Sequence, residues 1–241
     1  GNVLVNEENV CEGIARAFGL HVWSDRQAGT FYSRPGAILA NSDRFQVEIA
    51  CKGGHVMEPQ SGSNAIDVAV DIVCALRGFD RRYLGPMEPC SLVPAVFTAG
   101  SASNIRPDTA RQWFAARNFL PEDRRTAFES AIRREVEAVV ARYPDASGKV
   151  TYVRGHPSTI NDDAAVEYVA SLLMAAEQTY QQCEPDLGGE DFAHYLQKVP
   201  GAFVLLGAGS TDAHGHHTSK FNPSEDVMPL GVHYWLLLAT S

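Results

Sequence analysis

The sequence is poor in positive charge, in cysteine and in long apolar runs. It has 20 lysines and arginines against 29 acids, a formal net charge of −9 at pH 7. That balance disfavours nucleic acid as the main partner, because polyanions are bound by clustered Lys and Arg. An anionic small substrate stays open, since one local arginine overrides the mean field. The five cysteines (Cys11, Cys51, Cys74, Cys90 and Cys183) are odd in number and form no C-x-x-C pair. Reduced structural thiols in a cytoplasmic setting are expected. No run reaches the ~20 apolar residues that span a bilayer, so no membrane partner is expected. The opening GNVLVNEENV lacks the basic-then-apolar pattern of a secretory signal. No H-E-x-x-H, P-loop or G-x-S-x-G motif appears, so a serine hydrolase has no nucleophile elbow to stand on. Internal repeats, low-complexity tracts and heptads are also missing.

What is present is an ordinary globular composition, 45% hydrophobic and 20% charged over 241 residues. That length suits one large domain or two modest ones. Two short strands are predicted at 17–23 and 29–33, followed by a turn at Pro35-Gly36. RFQVEIAC alternates, with Phe45, Val47 and Ile49 on one face of a half-buried strand. A helix follows, with Ile66, Ala69, Val70, Val73 and Leu76 as its apolar stripe. SLVPAVFTAG is a strand that Pro94 marks as an edge or a bulge. ARQWFAARNF is another strand. Pro121-Glu122-Asp123 opens a helix with proline and acids in its first turn, and KVTYVR closes the series.

Strand, helix, strand, strand, helix, strand is the βαββαβ order of a ferredoxin-like domain. It is assigned to residues 42–154. The fold class is therefore α/β, with residues 1–41 and 155–241 forming two parts of one α/β domain interrupted by that insertion. In the second part Asn161 is the expected N-cap of a helix carrying Val166, Val169, Ala170 and Leu173. GAFVLLGAG is continuous apolar sequence, the mark of a strand buried on both faces. A closing helix is expected over 224–238.

Four places hold residues suited to chemistry. His21 ends an apolar strand, where a histidine either hydrogen-bonds a carbonyl or ligates a metal. His214, His216 and His217 crowd one polar loop, and neutral imidazole suits zinc, manganese or cobalt. His55 follows Gly53-Gly54, which permit a close approach to another body. Asn104 sits at a strand junction, and Arg117 carries the fork that matches a carboxylate.

FGLHVW, GTFYSRPG, CKGGH, NIRPD, AARNF, GGEDFAHYL with PGAFVLLG, and HTSKFNPSEDVMPLG occur in order over nearly the whole chain. Together they resemble the metal-dependent amidohydrolases and peptidases that include hippurate hydrolase, aminoacylase and the plant indole-acetyl-amino-acid hydrolases. The resemblance implies a catalytic α/β domain interrupted by a ferredoxin-like dimerisation domain, and hence a homodimer. It implies that His21 and His217 are metal ligands and that His55 reaches across the dimer to stabilise an oxyanion. Asn104 and Arg117 would hold the substrate's free carboxylate, and Gly189, Glu190 and Asp191 would line the pocket. The implied reaction is hydrolysis of the amide in an N-acyl amino acid. A divalent metal (zinc, manganese or cobalt) would lower the pKa of a water toward ~7, and a glutamate would act as base.

The family's remaining metal ligands and its base lie upstream of FGLHVW and have no match here. Glu7-Glu8 reads as an exposed acidic turn. The metal site is thus expected to be incomplete, the chain alone inactive, and a non-catalytic dimerising relative is the alternative. Two departures are local: Gln60 stands where relatives carry histidine, and Ser24 where they prefer proline.

Overall fold

The computed structural model describes residues 2–209 and 214–241; residues 210–213, at the head of the histidine-rich loop, lie outside it. In chain order the elements are α1 (Asn2–Asn6), β1 (Ala17–Gln27), β2 (Thr30–Ser33), β3 (Gly36–Leu39), β4 (Asp43–Ala50), β5 (Gly54–His55), α2 (Ala65–Leu76) and α3 (Phe79–Tyr83). There follow β6 (Cys90–Ala99), β7 (Ile105–Arg106), β8 (Thr109–Asn118), α4 (Glu122–Val140) and β9 (Ser147–Val153). The chain closes with β10 (Thr159–Asn161), α5 (Asp163–Ala175), β11 (Thr179–Gln182), α6 (Ala193–Leu196), β12 (Gly201–Gly209) and α7 (Met228–Thr240). Two units result: residues 1–40, 158–186 and 190–241 form the first, and 41–157 with 187–189 the second.

In the second unit, alternation builds an antiparallel sheet of order β6-β8-β4-β9. Phe45, Val47 and Ile49 of β4 and Ala110, Phe114 and Ala116 of β8 share a buried cluster with α2 and α4. One face of the sheet is thus covered by helices. Removing Phe114 or Phe128 from that cluster costs about 3–5 kcal/mol by analogy with other buried phenylalanines. Pro94 does sit on an edge strand, and the β6–β8 register slips between Pro94 and Val96. A proline has no N–H for a ladder, so the irregularity falls where it stands.

The helical stripe of α2 differs from expectation. Ala65, Val68, Ala69, Ile72 and Leu76 are buried, whereas Val70 is 43% exposed. The apolar positions run nearly all round this helix, so periodicity alone did not fix which arc faces the sheet. Strand β9 begins two residues before KVTYVR, at Ser147-Gly148. A Cβ on Gly148 would stand 2.8 Å from Val140 Cγ2, so the strand passes α4 only as glycine.

In the first unit the sheet order is β1-β12-β2-β11. β1 runs parallel to β12, β12 antiparallel to β2, and β2 parallel to β11. Ala202, Val204, Leu206 and Ala208 enter one buried cluster with α5 and Tyr234 of α7, while Phe203 and Leu205 enter another on the opposite face. This explains the unbroken apolar run of β12. Pro35-Gly36 turns the chain, with Gly36 at φ +73°, but strand β3 then follows at once and pairs with β10. Asn161 belongs to β10, and Asp162 is the cap of α5, its carboxylate accepting from Ala165 N at 2.9 Å. The Asn161 side chain is already spent: it accepts from Phe203 N at 2.7 Å and donates to Ser33 Oγ, Arg34 O and Phe203 O. Glu7 and Glu8 are exposed, as read. Among the described residues no helix is long and apolar enough to cross a membrane.

All five cysteines are free thiols. Burial first, with Asp80 adding to it, pushes the Cys90 thiol up to about 12, whereas Cys74 is exposed. The thiolate is the reactive species. A disulfide reagent at pH 8 is therefore expected to label Cys74 in the native protein and Cys90 only in denaturant; equal rates would contradict the burial.

Candidate active site

In the first unit β1 carries His21 on the sheet's rim, with Trp23 two residues on. The His21 ring lies 5.5 Å from that of Trp23 and 5.6 Å from that of His216, between centroids. His216 also packs on Trp23 at 4.8 Å and Phe221 at 5.3 Å. His21 Nδ1 lies 2.6 Å from Val22 O. A carbonyl only accepts, so Nδ1 bears the proton and Nε2 keeps its lone pair. That is the tautomer of a metal ligand oriented by a second hydrogen bond.

His216 is differently committed. Its Nε2 accepts the Ser24 N–H at 3.3 Å, a bond that the proline favoured in the resembled family at this position could not make. Burial, then the neighbouring His21, holds His216 below the usual imidazole pKa. It is therefore neutral at pH 7 and occupied at Nε2. His217 is exposed at φ +61°, and His214 is exposed as well. The structure thus draws the His21 region and the histidine-rich loop together, with His216 rather than His217 against the His21 ring. Glu190 is half-buried, and its carboxylate accepts from Phe192 N at 3.2 Å at the entry to α6. Among the described residues, no group of three or more His, Cys, Asp or Glu side chains is placed to hold a metal ion. His21 Nε2 is left unprotonated, but the set around it does not by itself fit a catalytic metal, which wants three or four protein ligands.

In the second unit, β5 and β7 pair, with His55 opposite Ile105, and Val56 N donates to Asn104 O at 3.2 Å. His55 and Asn104 therefore travel together. Met57 N donates to His55 Nδ1 at 3.2 Å. An amide only donates, so the neutral ring carries its proton on Nε2 and offers a donor from an exposed position.

Arg117 lies at the other end of β8. An antiparallel strand rises about 3.4 Å per residue, which separates Thr109 from Arg117 by roughly 25 Å. Asn104 and Arg117 of one chain therefore lie too far apart to meet on one carboxylate within that chain. The Arg117 neighbour is Gly189: a Cβ there would stand 2.6 Å from Arg117 Nη1. The two were drawn from distant parts of the sequence and do come together.

Two residues that the sequence reading did not single out hold the 52–63 segment. Arg106, only 7% exposed, donates to main-chain carbonyls along it. Asp145 closes its base, accepting from Lys52 N at 3.0 Å, from Ser63 N at 3.0 Å and from the Ser63 hydroxyl. The signal that was available is an arginine directly before a proline in NIRPD, inside a stretch otherwise read as a junction. Hydrogen bonds from Ser63, first side chain and then backbone, hold the Asp145 carboxyl well below the usual range. A lowered acid pKa contributes stability above the unfolded value, ~3.9, and loses it as pH falls through the folded one. Amide exchange at Lys52 and Ser63 is therefore expected to keep its protection down to pH 4 and to lose it below. Asp145→Asn should show the looser behaviour already at pH 6.

Comparison with known proteins follows the same outline. The profile of peptidase family M20/M25/M40 matches residues 4–241. Thermostable carboxypeptidase 1 of Saccharolobus solfataricus is 32% identical over 97% of this chain and 60% of its own length. N-acetylcysteine deacetylase of Bacillus subtilis is 31% identical over 98% of this chain and 61% of its own. A Bacillus subtilis crystal structure described as a dinuclear metal-binding peptidase of the M20 family superposes with TM-score 0.80 at 27% identity, covering 98% of this chain and 59% of that one. The chain thus spans about three fifths of the length of these relatives. With the match running nearly end to end through the His21, His55, Arg117 and histidine-rich segments, the chain belongs to peptidase family M20/M25/M40.

Proposed function

We propose that this polypeptide contributes to a metal-dependent hydrolase that cleaves the amide bond of N-acyl amino acids or related small peptides. The observation that carries the reading is His55: an exposed imidazole whose Nδ1 accepts from Met57 N–H, leaving an Nε2–H donor for a developing oxyanion. A preorganised donor of this kind supplies charge stabilisation where the tetrahedral intermediate forms. The two named enzymes above share one substrate feature, an amide next to a free carboxylate, and Arg117 is the matching cation. His21 supplies one metal ligand in this reading, and His217 another.

Residues 42–154 act here as a ferredoxin-like dimerisation domain. Support comes from β6, an edge strand exposing Val93, Val96 and Phe97, with Val70 exposed on α2. An unpaired apolar edge invites a second copy. The separation of His55 and Asn104 from Arg117 along β8 then has a purpose: one protomer supplies His55 to the oxyanion and Asn104 to the carboxylate of a substrate held by the partner's Arg117. The free thiols accord with a cytoplasmic site of action.

The test is hydrolysis of N-acetyl- and N-benzoyl-amino acids, with zinc, manganese or cobalt, by the complete enzyme to which this chain contributes. Turnover is expected to be lost in His21→Ala and in substrates whose carboxylate is amidated. Equal cleavage of amidated substrates would remove Arg117 from the reading, and a strictly monomeric species in sedimentation at micromolar concentration would remove the shared site. No turnover with any of the three metals would favour the non-catalytic dimerising relative.

A further inference from the structure

Arg106 has no role in the reading above, yet it is among the most completely hydrogen-bonded side chains in the second unit. Its Nε donates to His55 O at 3.3 Å. Nη1 donates to Pro59 O at 3.4 Å and to Gly62 O. Nη2 donates to Gly53 O and Glu58 O, each at 3.0 Å, and to Ser61 Oγ at 2.7 Å. Five main-chain carbonyls and one hydroxyl, all from residues 53–62, thus converge on one guanidinium. A buried cation is costly unless its donors are satisfied. Here the acceptors are backbone groups of a segment with little secondary structure of its own, so the cation and the loop fix one another.

The glycines show how close the wrapping is. A Cβ on Gly54 would stand 2.8 Å from Arg106 Nη2, and Gly53 and Gly54 adopt φ of +62° and +134°. Lysine cannot replace this function fully, because an ammonium has three donors on a point charge where the planar fork has five. Arg106 also precedes Pro107 and follows the Asn104–Ile105 stretch that pairs with His55. One side chain therefore ties the strand that carries His55 to the strand that directly follows Asn104.

We propose that Arg106 is a positioning residue for His55: by binding the 53–62 carbonyls it holds the turn in which Met57 N–H reaches His55 Nδ1, and so fixes the imidazole as an outward Nε2–H donor. The assignment of a catalytic purpose to that donor rests on the proposed function; the positioning itself does not. The experiment uses the ¹⁵N-labelled full chain. Imidazole nitrogen shifts report the His55 tautomer above its titration, and amide exchange reports Val56, Met57, Glu58 and Ser61.

In the parent chain His55 is expected as the Nε2–H form. In Arg106→Met the two tautomers mix and those amides exchange at least about tenfold faster, while the Phe45 and Phe114 core amides stay protected. Arg106→Lys, with three donors, is expected to lie between the two, and it decides the matter if the methionine variant fails to fold. An unchanged tautomer and unchanged exchange in either folded variant overturns the proposal. Kinetics in the hydrolytically active protein provide the second arm: kcat falls about a hundredfold with KM little moved, and Arg106→Met adds little to His55→Ala. A fall in KM-controlled binding alone would assign Arg106 to substrate contact instead and overturn it. Absence of hydrolysis in the complete enzyme to which this chain contributes defeats the proposed function, and the tautomer measurement still decides the role of Arg106.

Discussion

Asp43→Ala is expected to cost the second unit about 3–5 kcal/mol, the penalty of leaving a buried charge without its partner. Asp43 is fully buried and Arg125 only 4% exposed. The carboxylate accepts from Arg125 Nε at 2.9 Å and from Nη2, from the Tyr152 hydroxyl at 3.0 Å and from Gly155 N at 3.1 Å. Arg125 in turn donates to Gly155 O at 3.1 Å. Burial works against the Arg125 charge, but its hydrogen bonds and attraction to Asp43 outweigh that and raise its pKa. The network closes the unit where its chain enters and leaves, since residues 42–43 meet 155–156 there; Ser42 Oγ also accepts from His156 N at 2.8 Å.

Gly155 fits only as glycine, because its Cβ would stand 2.0 Å from Ser42 O. Urea unfolding checks the expectation. Asp43→Ala and Arg125→Ala should each show the large loss, while the apolar double replacement Asp43→Leu with Arg125→Met should recover part of it. A loss below about 1 kcal/mol, the range of surface pairs, would mean that the network is solvated.

Arg117→Met is expected to lower kcat/KM for carboxylate-bearing substrates roughly a hundredfold, about 3 kcal/mol for a charge-assisted pair. The change should sit mainly in KM, because the carboxylate is present in ground state and transition state alike. Arg117→Lys should recover little, since a point charge does not match the carboxylate fork. Stability should move by no more than about 0.5 kcal/mol, as for a side chain outside the core.

Gly189→Ala tests the geometry independently. Its new methyl would sit 2.6 Å from Arg117 Nη1, so KM should rise there too with the Arg117 charge intact. Amidated substrates provide the control. If Arg117→Met affects them as much as carboxylates, the guanidinium does not bind the acid group.

The elements were largely legible because local burial writes itself into local spacing. Phe45, Val47 and Ile49 alternate in β4 and all lie in the core. Pro94 announced an edge, because only there is a missing N–H tolerated. The α2 stripe was misread where small and branched apolar residues surround the helix, so that sequence offered several equivalent faces. Asn161 has the residue type of a cap, but β10 pairing and the Phe203 backbone claim it first.

The site was less legible. His21, His55, Gly189 and Arg117 were named, but which histidine packs on His21 depends on the path of a loop, and the structure chose His216. Arg106 leaves no pattern because its partners are mostly backbone groups, which every residue type carries, and Asp43 because its side-chain partners Arg125 and Tyr152 stand far along the chain.

Sequence by itself determined the main strands and helices of the second unit, the twice-buried β12 and the family resemblance, since each depends on residue type at short spacing or in fixed order. Tertiary structure alone decided that His55 stands with Asn104, that Arg117 stands with Gly189 at the far end of β8, and that one guanidinium gathers the 53–62 carbonyls. Those pairings join residues tens of positions apart through backbone geometry, and no local pattern of side chains records where a carbonyl will point.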